Sequence, residues 1–170
     1  MMAGASGTSL PLPVFDRPVS LLFVVAPFYR DICDALIAGA RSVAEACGAS
    51  VEVVEVPGAL EVPTAIALAE GRAKYDGYVA LGCVIRGETY HYETVCDTSA
   101  RGIGMLGLQG TCVGNGILTV ETIAQAVVRA DPKGDDKGGG AAAAALHLVA
   151  LSRKWSGAKK DIGFRSGAGR

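Results

Sequence analysis

The chain has 170 residues, enough for one domain with a buried core. Half of the residues are hydrophobic and 19% are charged, which excludes general disorder, and a formal net charge of −1 excludes the clustered positive surface of a nucleic-acid groove. Five scattered cysteines (Cys33, Cys47, Cys83, Cys96 and Cys112), none in a C-x-x-C pair, exclude a disulfide scaffold, and neither His91 nor His147 has metal-ligand spacing to them.

Residues 1–17, rich in Gly, Ser, Pro and Ala, read as a loose arm. They contain no basic segment followed by an apolar one, so no secretory signal is expected. Apolar runs elsewhere are too short for a membrane span, and a soluble cytoplasmic protein is expected. Residues 19–26 form a continuous apolar run, the mark of a strand buried on both faces. Residues 31–47 have helical periodicity, with Ile32, Ala35, Leu36, Val43 and Ala46 on one face and Gly48 as the cap. Residues 51–56 alternate Val with Glu, giving a strand with one polar face near a sheet edge. Pro63 fits the first turn of a helix continuing through Ala69.

Residues 78–85 read as a second central strand. Residues 90–108 read as a helix that packs through Val95, Ser99, Gly102 and Met105. Strand character returns at 111–118, and Thr119 is expected to cap a short helix over 120–129. Residues 134–140 read as a polar turn, 141–155 as a last helix with a small alanine face, and 156–170 as a frayed tail. The folded domain therefore spans 18–155. Strands alternating with helices over short connections predict parallel pairing and right-handed crossovers. The expected architecture is a three-layer α/β/α sandwich around a four-stranded parallel sheet, with its ligand crevice beyond the carboxyl ends of the strands.

That rule directs attention to the segment after each strand. Phe28 and Tyr29 after the first strand offer either a stacking face for a flat ligand or a small hydrophobic anchor. After the second, residues 56–63 (VPGALEVP) place Glu61 near a helix start, either as a first-turn carboxylate or as an acceptor for hydroxyl and amino groups. After the third, residues 84–92 (VIRGETYHY) set Gly87, Glu88 and Thr89 ahead of a helix whose first N–H groups can line an anion site. Arg86 supplies either charge or a structural salt bridge there. His91 lies in the first turn, placed for proton transfer or for a structural role. After the fourth, Gly114-Asn115-Gly116 offers backbone contacts and an amide, or a bulge. Arg129, Lys133 and Lys137 form either an exposed basic flank or, facing another subunit, part of a phosphate cradle. A G-x-x-x-x-G-K-S/T loop is absent, as are a G-x-G-x-x-G after the first strand and a G-x-S-x-G elbow.

Val56-Pro57-Gly58-Ala59-Leu60-Glu61-Val62-Pro63, Gly82-Cys83-Val84-Ile85-Arg86-Gly87-Glu88-Thr89-Tyr90-His91-Tyr92, Gly116-Ile117-Leu118-Thr119 and Lys137-Gly138 stand in the order and spacing found in the lumazine synthases. The chain resembles that family over residues 18–154. The resemblance implies a flavodoxin-like fold and condensation of 5-amino-6-(D-ribitylamino)uracil with 3,4-dihydroxy-2-butanone 4-phosphate, giving 6,7-dimethyl-8-ribityllumazine, phosphate and water, with no cofactor and no metal. It also implies that Phe28 stacks on the pyrimidine, that Ala59 and Glu61 hold the ribityl chain with Asn115 and Lys137, and that Val84 and Ile85 line the ring. Glu88 and Thr89 then meet the phosphate, Arg129 supplies its countercharge from a neighbouring subunit, and His91 moves protons.

The resemblance further implies a homo-oligomer with active sites between adjacent subunits. A pentamer is favoured over a decamer or a sixty-subunit shell. Two positions depart from the common pattern: Asn115 replaces an aromatic residue, and Gly140 replaces an acidic residue that orients the catalytic histidine. The alternatives are a non-catalytic flavin or lumazine binder with a storage role, and a mainly structural shell protein.

Overall fold

The computed structural model describes residues 9–72 and 74–157; residues 1–8 of the expected arm and 158–170 of the expected tail lie outside these. In chain order the elements are β1 (Val19–Ala26), α1 (Arg30–Ala46), β2 (Ala49–Glu55), α2 (Glu61–Arg72), β3 (Gly77–Ile85), α3 (His91–Leu108), β4 (Val113–Val120), α4 (Ile123–Ala130) and α5 (Lys137–Ser156). The strands form one parallel sheet in the order β2-β1-β3-β4. This is the expected α/β/α sandwich, with the strand order of a flavodoxin-like fold. Its direction of winding reverses between β1 and β3, where a crevice opens past the strand ends.

The apolar run of β1 follows from its central place. Leu21, Phe23 and Val25 enter the layer made by α1, α4 and α5, while Leu22, Val24 and Ala26 enter the layer made by α2 and α3. Each Leu, Val or Phe side chain so removed from water contributes about 1.5–3 kcal/mol. The alternating β2 is an edge strand, as its Val/Glu pattern predicts, with Glu52 and Glu55 exposed. Among the described residues no helix is long and apolar enough to cross a membrane.

Several local expectations are corrected. β4 runs on to Val120 in regular register, from Tyr78 opposite Val113 to Ile85 opposite Val120. Gly114, Asn115 and Gly116 therefore lie inside the strand, without a bulge, and Thr119 is a strand residue paired with Val84. The cap of α4 is Thr122, whose hydroxyl accepts from the Gln125 N–H at 3.3 Å. Pairing with β3 and burial of Leu118 and Val120 extend the strand past the point where its first threonine could stop it.

The expected polar turn over 134–140 gives way to helix at Lys137. Asp136, in the left-handed region at φ 43°, caps α5 by accepting from the Gly139 N–H at 3.0 Å. Gly138 is there for close packing, because a Cβ on it would stand 2.1 Å from the Leu36 carbonyl oxygen of α1. On α3, Met105 is exposed and Ile103 and Leu106 take the core positions beside Val95 and Ser99. On α1, Ile32 and Leu36 are buried as expected, but Ala46 is exposed and Gly39, Ala40 and Ala44 continue the inner face.

At the opposite end of the sheet from the crevice, Asp76 clasps three elements. Its carboxylate accepts from the Ser20 N–H (2.8 Å) and hydroxyl (3.2 Å) and from the Arg153 guanidinium (3.0 Å). Arg153 also donates to the carbonyls of Arg17 (2.9 Å) and Pro18 (2.7 Å), with its guanidinium over the Phe15 ring. Burial alone raises the Asp76 pKa, but the Ser20 N–H and the Arg153 and Ser20 side chains outweigh it and hold the carboxyl below its ordinary value. A group more acidic in the folded state stabilises above its unfolded pKa and loses that contribution as pH falls through the folded pKa. Asp76→Ala is therefore expected to lower stability by about 1–2 kcal/mol at pH 7. In urea titrations the gap to the parent should narrow as pH drops below about 4. A gap unchanged down to pH 3 would remove the electrostatic account of this clasp.

Candidate functional site

A cleft of about 400 Å3 opens where β1, β2 and β3 end. Its wall is built by the three segments after those strands. Phe28 follows β1 with its side chain largely in solvent, 75% exposed, and its ring meets Tyr29 edge-on at 5.1 Å between centroids. One face of Phe28 is thus left open to a flat ligand. The turn after β2 brings Gly58, Ala59 and Glu61 to the cleft. The Glu61 N–H donates to the Gly58 carbonyl at 3.1 Å, and its carboxylate lies close over Gly58 at the first residue of α2. From β3 come Cys83, Val84 and Ile85, and from the first turn of α3 comes His91. Sequence alone named Phe28, Ala59, Glu61, Val84, Ile85 and His91 from separate segments, and the fold places all six around this one cleft.

His91 is exposed at the first position of α3, and its backbone N–H donates to the Thr89 hydroxyl at 3.4 Å. Tyr90 supplies no side-chain cap to α3, so beyond the His91 N–H taken by Thr89 the helix start keeps donor capacity toward an anion. Glu88 and Thr89 are exposed on the loop leading into it and do not line the cleft. Arg86 resolves as the structural salt bridge. It pairs with Glu93 and, at 2.7 Å, with Glu121, and its guanidinium lies 4.2 Å from the Tyr92 ring centroid. At the rim, Arg30 pairs with Glu55, and this pairing holds the Glu55 carboxyl below its ordinary value.

The remaining three expected site residues lie elsewhere. Asn115, Arg129 and Lys137 line a second cleft of about 330 Å3 along β4 and α5, together with Gly116–Thr119 of the strand and Gly140. The two clefts share no lining residue. Asn115 accepts the Ile117 N–H through its own amide oxygen at 3.0 Å on this sheet edge. Arg129 donates one N–H to the Gln125 carbonyl at 3.1 Å. Lys133 is not part of this lining; its backbone N–H donates to the Asp131 carboxylate at 2.9 Å.

Tyr29, offered beside Phe28 as a stacking face, also lines the cleft, whereas the sequence reading missed Leu60, Cys83 and Val95 as cleft residues. Val95 could have been found, because it lies four positions after His91 on one helical face. Cys83 offered no signal beyond its place in the strand. Burial pushes its thiol up to about 11, so it is a protonated, apolar wall at neutral pH and not a nucleophile. Among the described residues no group of three or more His, Cys, Asp and Glu side chains is placed to hold a metal ion.

Comparison with known proteins gives a consistent result. The profile of the family described as 6,7-dimethyl-8-ribityllumazine synthase matches residues 18–153. The chain is similar to the 6,7-dimethyl-8-ribityllumazine synthase of Jannaschia sp. (strain CCS1), at 53% identity over 164 residues, covering 96% of this chain and 92% of the relative. It is 60% identical over 135 residues to that of Novosphingobium aromaticivorans, covering 79% and 97% of the two chains. It is 50% identical over 144 residues to 6,7-dimethyl-8-ribityllumazine synthase 1 of Rhizobium meliloti, covering 81% and 94%.

Proposed function

From the premise that this chain belongs to the 6,7-dimethyl-8-ribityllumazine synthase family, we propose how its two clefts carry out the reaction. The enzyme condenses 5-amino-6-(D-ribitylamino)uracil with 3,4-dihydroxy-2-butanone 4-phosphate to give 6,7-dimethyl-8-ribityllumazine, phosphate and water. The observation that carries the site assignment is the convergence of Phe28, Glu61 and His91 on one cleft at the reversal point of the sheet. No observation favours a non-catalytic binder.

Phe28 stacks on the pyrimidine while Val84 and Ile85 flank it. Ala59 and Glu61 receive the ribityl hydroxyls, the carboxylate as hydrogen-bond acceptor. The substrate amine is itself the nucleophile, so no activated Ser or Cys is required. It attacks the ketone carbonyl carbon; the oxygen leaves as water and an imine forms. Removal of a carbon-bound proton then drives β-elimination of phosphate, whose leaving electrons depart with the C–O bond. The resulting enol tautomerises, taking a proton on its terminal carbon and making a new carbonyl from the former C3 hydroxyl; attack by the ribitylamino nitrogen on that carbonyl closes the ring, and water leaves again. His91 takes and returns the protons of these steps. Holding both substrates face to face supplies much of the rate.

The phosphate needs countercharge that no described residue lining the first cleft supplies. Glu88 and Thr89 offer backbone N–H and hydroxyl groups, and Arg129 supplies the cation. Arg129, Lys137 and Asn115 line the other cleft, so we assign them to the first cleft of a neighbouring subunit. Family membership carries small-molecule substrates and oligomeric assembly; a closed pentamer, whose head-to-tail contacts return on themselves, is the assembly that fits this division. Exposed apolar side chains on α3 and α4, Leu108 at 91% and Met105, Ile123, Val127 and Val128 above half, supply material for such contacts. We read residues 18–155 as the domain that builds the ring. Incubating the purified protein with both substrates should produce lumazine fluorescence and stoichiometric phosphate, with light scattering giving the mass of a pentamer. Fluorescence without phosphate release would overturn the reaction, and a monomeric mass with full activity would overturn the shared site.

A further inference from the structure

Arg86 stands at the hinge between β3 and the segment that carries His91, and none of the roles above uses it. Its backbone N–H donates to the Val120 carbonyl at 3.0 Å, extending the β3–β4 pairing by one residue. Its side chain then makes three contacts with three different partners. Nε donates to Glu121 at 2.7 Å, Nη1 donates to Glu93, and the guanidinium plane lies over Tyr92. Tyr92 and Glu93 are the two residues after His91 in the first turn of α3. Arg86 therefore spans the loop 87–90 from its strand side to its helix side and ties the far end down.

Glu121 gives the strut a second anchor. It comes directly after β4, and its own N–H donates to the Gln125 side chain of α4 at 2.8 Å. The same guanidinium thus joins β3, the start of α3 and the start of α4. The Arg86 pairing holds the Glu93 carboxyl below its ordinary value, with a smaller contribution from the Glu93 backbone N–H, so Glu93 stays ionised at neutral pH. A guanidinium has a planar fork that can hold two carboxylates at fixed angles; an ammonium cannot. The two carboxylates engage Nε and Nη1, one on each side of that fork, and their charge opposes the approach of a ligand anion.

We infer that Arg86 is a positioning residue, which sets the first turn of α3 so that His91 faces the cleft, and that it is not a phosphate ligand. Misplacement of a proton-transfer group by a fraction of a carbon–carbon bond slows reaction without weakening substrate binding. The inference rests on the assignment of His91 to proton transfer.

The test compares the parent enzyme, Arg86→Gln, Arg86→Lys, Glu93→Gln and His91→Ala as folded assemblies, using steady-state kinetics and inhibition by inorganic phosphate. Arg86→Gln is expected to lower kcat by about 5- to 30-fold. The KM for the four-carbon phosphate and the inhibition constant for phosphate should stay within about twofold. Arg86→Lys, which keeps the charge and loses the fork, should not restore kcat, and Glu93→Gln should lower it in the same direction. Combined with His91→Ala, Arg86→Gln should add less than about twofold, because it acts through the histidine. A rise in KM and in the phosphate inhibition constant at preserved kcat would make Arg86 a phosphate ligand and overturn the inference. Full rescue by lysine, or losses that multiply with His91→Ala, would overturn it as well. A slow His91→Ala beside fully active Arg86 variants would defeat the positioning role alone, whereas a fully active His91→Ala would defeat the His91 assignment and this inference with it.

Discussion

Arg129→Ala is expected to raise the KM for the four-carbon phosphate by about 30- to 150-fold, the loss of about 2–3 kcal/mol of charge-assisted hydrogen bonding. Among the described residues Arg129 commits one N–H, to the Gln125 carbonyl, and it lines an open cleft. Lys137 shares that cleft but presents a point charge, so it compensates poorly for a lost fork. Binding of a ribitylated pyrimidine, followed by fluorescence, should change by less than about threefold because that substrate has no phosphate. Arg129→Lys should recover part of the loss. Equal weakening of both ligands would mean that Arg129 shapes the cleft and does not meet the phosphate.

His91→Ala is expected to lower kcat by roughly 10- to 100-fold without abolishing turnover. The imidazole is exposed at the α3 start, away from the core, so its removal should leave the fold intact. The residual rate reflects what proximity supplies: an amine that is already nucleophilic, held against a ketone, with water available to move protons. Single-turnover measurements at saturating concentrations of both substrates read this directly. Complete loss in a folded, assembled variant would show that positioning contributes little by itself.

Much of the architecture was legible because its signals are local. β1 announces itself as an unbroken apolar run, and the structure returns Val19–Ala26 with both faces buried. Gly48 ends α1 in the left-handed region, at φ 68°, as a cap glycine should. The errors arose where long-range packing overrode a local signal. Thr119 and Thr122 are both reasonable caps, and only pairing of β4 with β3 decides between them. Lys137–Gly140 looks like a flexible turn until α1 is brought against it, when Gly138 becomes the condition for contact. Met105 shares a helical stripe with Val95, but the sheet faces Ile103 and Leu106.

The site divides in the same way. Phe28, Glu61 and His91 could be found by looking past each strand, since a parallel sheet gathers those segments at one edge. Asn115, Arg129 and Lys137 could not be joined to them by any rule of one chain, because they line a different cleft. From residue types alone Arg129 and Lys137 stood between a basic flank and a phosphate cradle facing another subunit, and Asn115 between an amide contact and a bulge; their specific roles came from family resemblance.

That division between non-overlapping clefts makes the defects of the histidine and arginine variants reciprocal. In a ring where every junction takes its histidine from one member and its arginine from the next, a protein lacking the first group can be repaired by one lacking the second. Equal amounts of His91→Ala and Arg129→Ala protein, unfolded together and reassembled, should give hybrids in which about one junction in four has both groups intact. At four-carbon phosphate well below the Arg129→Ala KM, activity should climb toward a quarter of the unmutated rate, although neither variant approaches it alone. Reassembled mixtures no faster than the average of their components would mean that each chain works with its own histidine and its own arginine.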